Sequence, residues 1–495
     1  MHTYTLIFKH VLGTKYIPWP WCAVSLLSLV VATSSAFAAD IVLPDFGGAN
    51  STSISPKQEY ELGQKWLRLY RAQVPTSSDP FLQTYTENLI RSLAAYSDLE
   101  DKRLDILVIE NPTLNAFAVP GGVIGVNTGL FDYSDTEDQF SSVLAHELAH
   151  LSQRHYARRV EKQRDNTIPN MAALLASILI AATAGGDAGI AAISATQAAA
   201  IDAQLRFSRQ MEQEADRIGM ETMVRSGKNP RAMSEMFDLM LKASRFQRRP
   251  PEFLLTHPLT ESRVTDSQLR AQQLPQKYYP KNLEFALVKV RARLTHESNM
   301  QLAIKQFTDE QKGHKYQKEV ADYGLTLALT RAGRLEDAKT VLEPLVNNNP
   351  DNLYYVVAQA EIEAEQEHFD KALSILKKKL VTHPNNHALN VRTAEILMKA
   401  SRYDECESLL VAHSARRPKD DYVWYLLAEV HGLAGHIYEV HLARAEYFIL
   451  NGLFDKAIIQ LKNALRLVEE DQQLQAVVNQ RLKNVRQLKE ESRLQ

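Results

Sequence analysis

His146-Glu147-Leu148-Ala149-His150 decides how the first half of this chain folds. On a helix, positions four apart project from successive turns of one face, so the two imidazoles can close on a single metal ion. Glu147 stands beside them, free to take a proton from a water held by that ion. Working outward, Ser134-Asp135-Thr136-Glu137 reads as a capping box that starts the helix. Phe140, Val143, Leu144, Leu148 and Leu151 then recur at helical spacing. The bland alternative is a surface helix carrying two solvated histidines.

Two histidines leave a metal short of ligands. A metzincin would need a glycine at position 153 and a histidine at position 156, where the chain has Gln153 and Tyr156, so that class is excluded. His155 falls five residues past His150, on another face of a continuous helix, and reads as an ordinary helical histidine. Downstream of Glu161 no glutamate appears until Arg209-Gln210-Met211-Glu212-Gln213-Glu214-Ala215-Asp216-Arg217. There Glu212 and Asp216 stand four apart, which suits one carboxylate as ligand and the other as acceptor for a histidine N–H. Glu214, the rival ligand, points away from their shared face. Without the first motif this segment would read as an exposed acidic helix pairing with Arg209 and Arg217.

The motifs Asn115-Ala116-Phe117-Ala118-Val119-Pro120-Gly121-Gly122, His146-Glu147-x-x-His150 and Glu212-x-x-x-Asp216, in that order, resemble those of the HtpX-like zinc peptidases, relatives of the CAAX prenyl proteases. The likeness covers roughly residues 57 to 275, and nearly the whole chain for the periplasmic branch in which tetratricopeptide repeats follow the peptidase. It implies one zinc on His146, His150 and Glu212, Glu147 as general base, and Asp216 supporting a ligand histidine. From the residues themselves, Val123 to Asn127 continue as a strand after a Pro-Gly-Gly turn. An edge strand beside the metal would hold an extended peptide by backbone pairing.

In Leu255-Thr256-His257-Pro258-Leu259-Thr260-Glu261-Ser262-Arg263, Pro258 keeps His257 out of the helical region. The resemblance leaves two roles open for His257: stabiliser of the tetrahedral oxyanion, or occupant of the metal's open position that holds activity down. A loop histidine without a metal role is the third reading. Arg263 is read either as a contact to substrate or ligands, or as a surface salt bridge.

Lys9, His10 and Lys15 precede an apolar run from Trp21 to Ala32 and a small-x-small site ending at Ala38. That is the pattern of a cleaved secretory signal and of periplasmic location; an uncleaved anchor is the alternative. Removal of Cys22 with the signal leaves Cys406 and no internal disulfide. The apolar stretch Met171 to Ala184 would be about 21 Å long as a helix, against a hydrocarbon core of about 30 Å. Gly185-Gly186-Asp187 ends it and residues 188 to 203 are again small and apolar, so a helical hairpin is expected. It would serve as a lid, a surface for peripheral membrane or unfolded-protein contact, or plain core.

From residue 276 a repeat takes over. Pro350, Pro384 and Pro418 are 34 residues apart, as are Ala338, Ala372 and Cys406, and Leu335, Phe369 and Tyr403. A 34-residue period with a small residue in the second helix is the tetratricopeptide pattern of stacked helix pairs. Cys406 occupies an alanine column and is read as packing. Phe454-Asp455-Lys456-Ala457 repeats the string at Phe369 after 85 residues, two and a half periods. One helix near Tyr438 to Ala445 is therefore expected to serve two adjacent pairs, and Val477 to Leu494 to cap the solenoid.

Residues 39–54 read as a flexible lead-in, Ser55-Pro56-Lys57-Gln58 as a helix start, then helices at 56–73 and 79–95 and a strand at 104–109. The formal net charge of −2, with no basic stripe, argues against nucleic acid. The expected fold is mainly α: an α+β gluzincin-type zinc peptidase domain with a small sheet over 55–275, then an all-α tetratricopeptide solenoid over 276–495. The resemblance implies an exported endopeptidase acting on misassembled outer-membrane β-barrel proteins, with the repeats docking those proteins and the barrel assembly machinery. The alternatives are a chaperone or adaptor with a latent metal site, and a membrane-anchored peptidase.

Overall fold

The computed structural model describes residues 54–161, Ala176, 208–246, 251–313 and 315–493. The signal segment and nearly all of the 171–203 stretch lie outside the described residues. Among the described residues no helix is long and apolar enough to cross a membrane.

Helix α1 (Pro56–Arg71) starts where the sequence places it: the Ser55 side chain accepts from the Gln58 N–H, and Gln58 accepts from the Ser55 N–H. Asp79 caps α2 (Pro80–Tyr96) by accepting from the Phe81 and Leu82 N–H groups. Strands β1 (Asp105–Ile109), β2 (Ala116–Val119) and β3 (Val123–Asn127) form a sheet in the order β1-β3-β2. β3 runs parallel to β1 and antiparallel to β2. The turn between β2 and β3 needs its glycines: Gly121 and Gly122 sit at φ 85 and 84, and a Cβ on Gly122 would lie 2.2 Å from the Arg103 carbonyl oxygen.

Helix α3 (Thr128–Tyr133) leads into α4 (Glu137–Ser152), which carries the His-Glu-x-x-His string. The expected capping box is displaced by two residues. Thr136, not Ser134, is the cap, accepting from the Gln139 N–H, while Ser134 Oγ donates to the Leu130 carbonyl and closes α3. The apolar stripe of α4 is buried as its spacing requires, with Phe140, Leu144 and Leu148 fully inaccessible. Burial of each such side chain contributes about 1.5–3 kcal/mol. Helices α5 (His155–Glu161), α6 (Arg209–Arg225), α7 (Arg231–Phe246), α8 (Glu252–Thr256) and α9 (Glu261–Gln273) complete the first half.

The solenoid runs from α10 (Leu283–His296) to the helix Gln472–Arg493. Helices start at Leu335, Phe369, Tyr403 and Ile437, each 34 residues after the last, and Ala338, Ala372 and Cys406 are fully buried. Burial raises the Cys406 thiol to about 12, as befits a packing residue. Helix Ile437–Leu450 packs on both Asp421–Ala434 and Phe454–Arg466, so one helix does serve two pairs. The tail helix covers the last of these.

The turn two residues before each second helix is left-handed at Gly333, Glu367, Ser401 and Gly435, with φ 73, 62, 57 and 81. Glutamate in that region costs about 1–2 kcal/mol, part of which a glycine would give back as chain entropy in the unfolded state. Exposed Glu367 is therefore expected to gain about 0.5–1 kcal/mol on replacement by glycine. Urea unfolding of Glu367→Gly measures this, and a lower midpoint at unchanged slope would rule out the strain.

The two units share one apolar cluster, continuous from Phe81 to Ala443, rather than meeting as separate cores. Phe81 stacks on Tyr354 at 4.3 Å, and Phe131 on Phe285 at 6.0 Å. Polar links rim this seam: Arg291 Nε donates to Asp79 at 2.8 Å, Arg417 to Glu87 at 2.9 Å and Lys419 to Asp105 at 2.7 Å. Burial alone would raise the Asp79 carboxyl, but Arg291 and Arg392 outweigh it and hold it below its ordinary range.

Candidate metal centre

Helix α4 supplies three of the candidate groups and α6 a fourth, and small residues let the two helices meet. Ala215 and Gly219 follow Glu212 on one face of α6, with Ala215 packed on Ala149. A Cβ on Gly219 would stand 3.1 Å from the His146 backbone nitrogen, so glycine sets how closely α6 lies on α4. That approach brings Glu212 Oε2 to 3.5 Å from His146 Nε2, and Glu212 Oε1 to 3.5 Å from His150 Nε2. The two Nε2 atoms are 3.0 Å apart.

His257 joins them. It ends α8 with a non-helical backbone, φ −119 and ψ 76, as Pro258 demands, and its ring stacks on Phe253 at 4.5 Å. Its Nδ1 lies 3.0 Å from Glu212 Oε1 and 3.4 Å from His146 Nε2, and its Nε2 lies 3.4 Å from Glu147 Oε1. Ligand atoms of His146, His150, Glu212 and His257 all fall within 4.8 Å of one another, and all four side chains are buried. Three imidazole nitrogens converging on one carboxylate fit a zinc-class ion, and buried nitrogens 3.0 Å apart are better matched by a shared cation than by each other.

Each candidate ligand is held from behind. Asp216 Oδ1 lies 2.9 Å from His146 Nδ1. Arg263, fixed in the first turn of α9 by the Thr260 cap, grips Asp216 with Nε and Nη2, both at 2.7 Å. Its Nη1 reaches Glu212 Oε2 at 2.7 Å and the Pro258 carbonyl at 2.9 Å. At 2 % exposure Arg263 is no surface salt bridge. Burial by itself lowers the His146 pKa, but Asp216 and Glu212 overcome it and raise the imidazole to about 9. A proton thus competes with a metal for His146 throughout the neutral range.

His155 departs from the sequence expectation. Arg154 takes the left-handed conformation, φ 49, so α4 ends and α5 restarts at an angle that folds His155 under His150. Fully buried, His155 places Nδ1 at 2.9 Å from His150 Nδ1 and Nε2 at 3.2 Å from Glu214, which Arg158 also holds. Burial depresses its pKa to about 4, so the ring is neutral and can accept the His150 Nδ1–H while donating to Glu214. Sequence reasoning missed this support.

Glu147 is 1 % exposed. Burial raises its pKa, partly offset by the positive potential of His257 and His146 and by a hydrogen bond from the Ala118 N–H of β2. A buried carboxylate of raised basicity beside a metal-ligand cluster can move a proton at Oε1. A cavity of about 270 Å³ lies beside the cluster, lined by Gly121, Gly122, Arg154, Tyr156 and His150 among others.

Residues 80–271 match the model of Peptidase family M48 and residues 363–430 that of a tetratricopeptide repeat. The chain is 34% identical over 463 residues to the beta-barrel assembly-enhancing protease of Escherichia coli K12, covering 93% of this chain and 94% of that protein. Against the protein of the same name from Yersinia pestis it is 30% identical, with 94% and 96% covered. It is also 30% identical over 180 residues to the mitochondrial metalloendopeptidase OMA1 of Schizosaccharomyces pombe, covering 36% of this chain and 50% of that one. With the M48 match lying over the clustered histidines and near-full-length likeness to the bacterial relatives, the chain is a metalloendopeptidase that belongs to the family of the beta-barrel assembly-enhancing proteases.

Proposed function

We propose that this peptidase uses one zinc ion held by His146, His150 and Glu212, and that His257 keeps it latent at rest. The observation that carries the reading is the convergence of four buried ligand atoms within 4.8 Å, one more than a catalytic site with an open position requires. When bound, zinc supplies Lewis acidity that activates water and polarises the scissile carbonyl. The chain does the rest. Glu147 takes the proton at Oε1 and returns it to the leaving amine, Asp216 and His155 orient the two ligand rings, and Arg263 holds Asp216 and Glu212 in place.

The segment bearing His257 also lies along the entry to β2: the Phe253 N–H donates to the Leu114 carbonyl, and the Asn115 amide to Glu252. Displacing it would withdraw His257 from the other three ligands and free the Leu114 carbonyl ahead of β2, where an extended segment of substrate could pair with the backbone. The relatives' name and the repeats support outer-membrane β-barrel proteins that have failed to assemble as substrates, with the solenoid docking them and their assembly machinery. The leader pattern in residues 1–38 supports a periplasmic setting, with residues 55–275 as peptidase and 276–495 as docking unit.

His257→Ala tests the latch. A latch closed nine-tenths of the time gives about a tenfold rise in cleavage of unfolded casein when removed, with one zinc still bound. A fall in rate instead would reject the latch and assign His257 to the oxyanion.

A further inference from the structure

We propose a second divalent-metal site within the solenoid, formed by Glu407, His431 and His436, that takes a zinc-class ion and staples successive repeats. Glu407 lies on the helix Tyr403–Arg416, His431 on Asp421–Ala434, and His436 caps Ile437–Leu450, so the three come from consecutive helices. Their ligand atoms fall within 4.8 Å of one another. Glu407 offers its two oxygens separately: Oε2 stands 2.8 Å from His436 Nδ1 and Oε1 3.6 Å from His431 Nδ1.

The independent observation is His431. Its side chain is 6 % exposed, yet Nδ1 has no hydrogen-bond partner and faces Glu407. Burial lowers its pKa, keeping the ring in the neutral form that binds metals. Bonds of about 2.0–2.2 Å to one tetrahedral ion would put ligand atoms roughly 3.3 Å apart. Because the two histidines face different Glu407 oxygens, one ion would take the carboxylate through both, with the exposed His436 ring withdrawing by about half an ångström.

The neighbouring repeats show that the slot is special. One period back the same positions hold Leu373, Leu397 and Arg402, and two periods back Lys339, Glu363 and His368. There the buried carboxylate is neutralised by Lys371 at 2.6 Å, His368 at 3.1 Å and Lys339 at 3.5 Å. In the third slot no lysine or arginine takes that part: among the described residues the ion-pair partners of Glu407 are the two histidines alone. A carboxylate, a buried imidazole and an exposed one lack a positive charge that a divalent cation would supply, with a fourth position left to water. The site sits directly before the helix shared by two pairs, where it would fix the angle between repeats.

The test is metal stoichiometry of the full chain, stripped of metal and titrated with zinc against a chromophoric competitor. The parent is expected to take two equivalents, and Glu407→Gln and His436→Ala one each, with circular dichroism unchanged. His150→Ala, at the peptidase site, should lose the other equivalent, so the two sites succeed or fail separately. A parent that takes only one equivalent, or two in both Glu407→Gln and His436→Ala, would overturn the proposal and leave an ordinary His436–Glu407 ion pair.

Discussion

Glu147→Gln is expected to keep its zinc and to lose catalysis, with kcat lowered about 10²–10⁴-fold. Glutamine has the same shape, and its amide oxygen can still accept from the Ala118 N–H that now bonds the carboxylate. Glu147 is not among the four converging ligands, so the ion should be unaffected. What disappears is a base: the amide cannot carry a proton from water to the leaving amine. Burial raises the carboxyl's basicity at this position, which makes it a better acceptor than a solvated glutamate. Zinc content by mass spectrometry and peptide hydrolysis in the same preparations check the two halves. Cleavage at the parental rate would reject the mechanism, and loss of zinc would show that Glu147 also serves the ligand shell.

Arg263→Ala is expected to be the most destabilising single change at the site. It removes the cation from two buried carboxylates, Asp216 and Glu212, and a hydrogen bond from the Pro258 carbonyl that anchors the His257 segment. Breaking a buried pair by deleting one partner costs about 3–5 kcal/mol, because the remaining charge is stranded. Loosening the groups behind the ligands should also weaken zinc binding about 10–100-fold. The two effects are linked: a variant that binds zinc 10–100-fold more weakly gains less from the ion, so the stability loss should be larger in zinc-saturated protein than in metal-free protein by about 1.4–2.7 kcal/mol. Urea unfolding with and without zinc measures both. A loss under about 1 kcal/mol in the metal-free state would show that Arg263 contributes no more than an exposed pair does.

The features legible in the sequence were those with a local or periodic signal. The His-Glu-x-x-His helix, the Pro120-Gly121-Gly122 hairpin and the 34-residue columns each follow from backbone rules acting over a few residues or one repeat. Even the shared helix Ile437–Leu450 could be inferred, because a half-period offset leaves no other arrangement. His155 was not legible, since its expected direction presumed an unbroken helix and no residue preference announces a left-handed arginine at position 154. Glu214 does point away from Glu212 and Asp216, but towards His155, a partner visible only once the chain has turned. Ser134 satisfied the sequence rule for a cap equally well as Thr136, and which one caps depended on where α3 ended. Arg263 looked the same in sequence whether buried or exposed. The continuity of the apolar cluster across both units is likewise a long-range fact that no window of sequence contains.

The ties along that seam join residues very distant in the chain: Asp79 waits for Arg291, 212 positions later, Asp105 for Lys419, 314 later, and Glu87 for Arg417, 330 later. Contacts of such separation form late, because closing the intervening loops is entropically costly before any reward arrives. These ties to the first half are therefore made only once the solenoid as far as Arg417 and Lys419 lies beside it. A copy that stopped short of Arg417 would lack two of the three and keep only the link from Arg291 to Asp79.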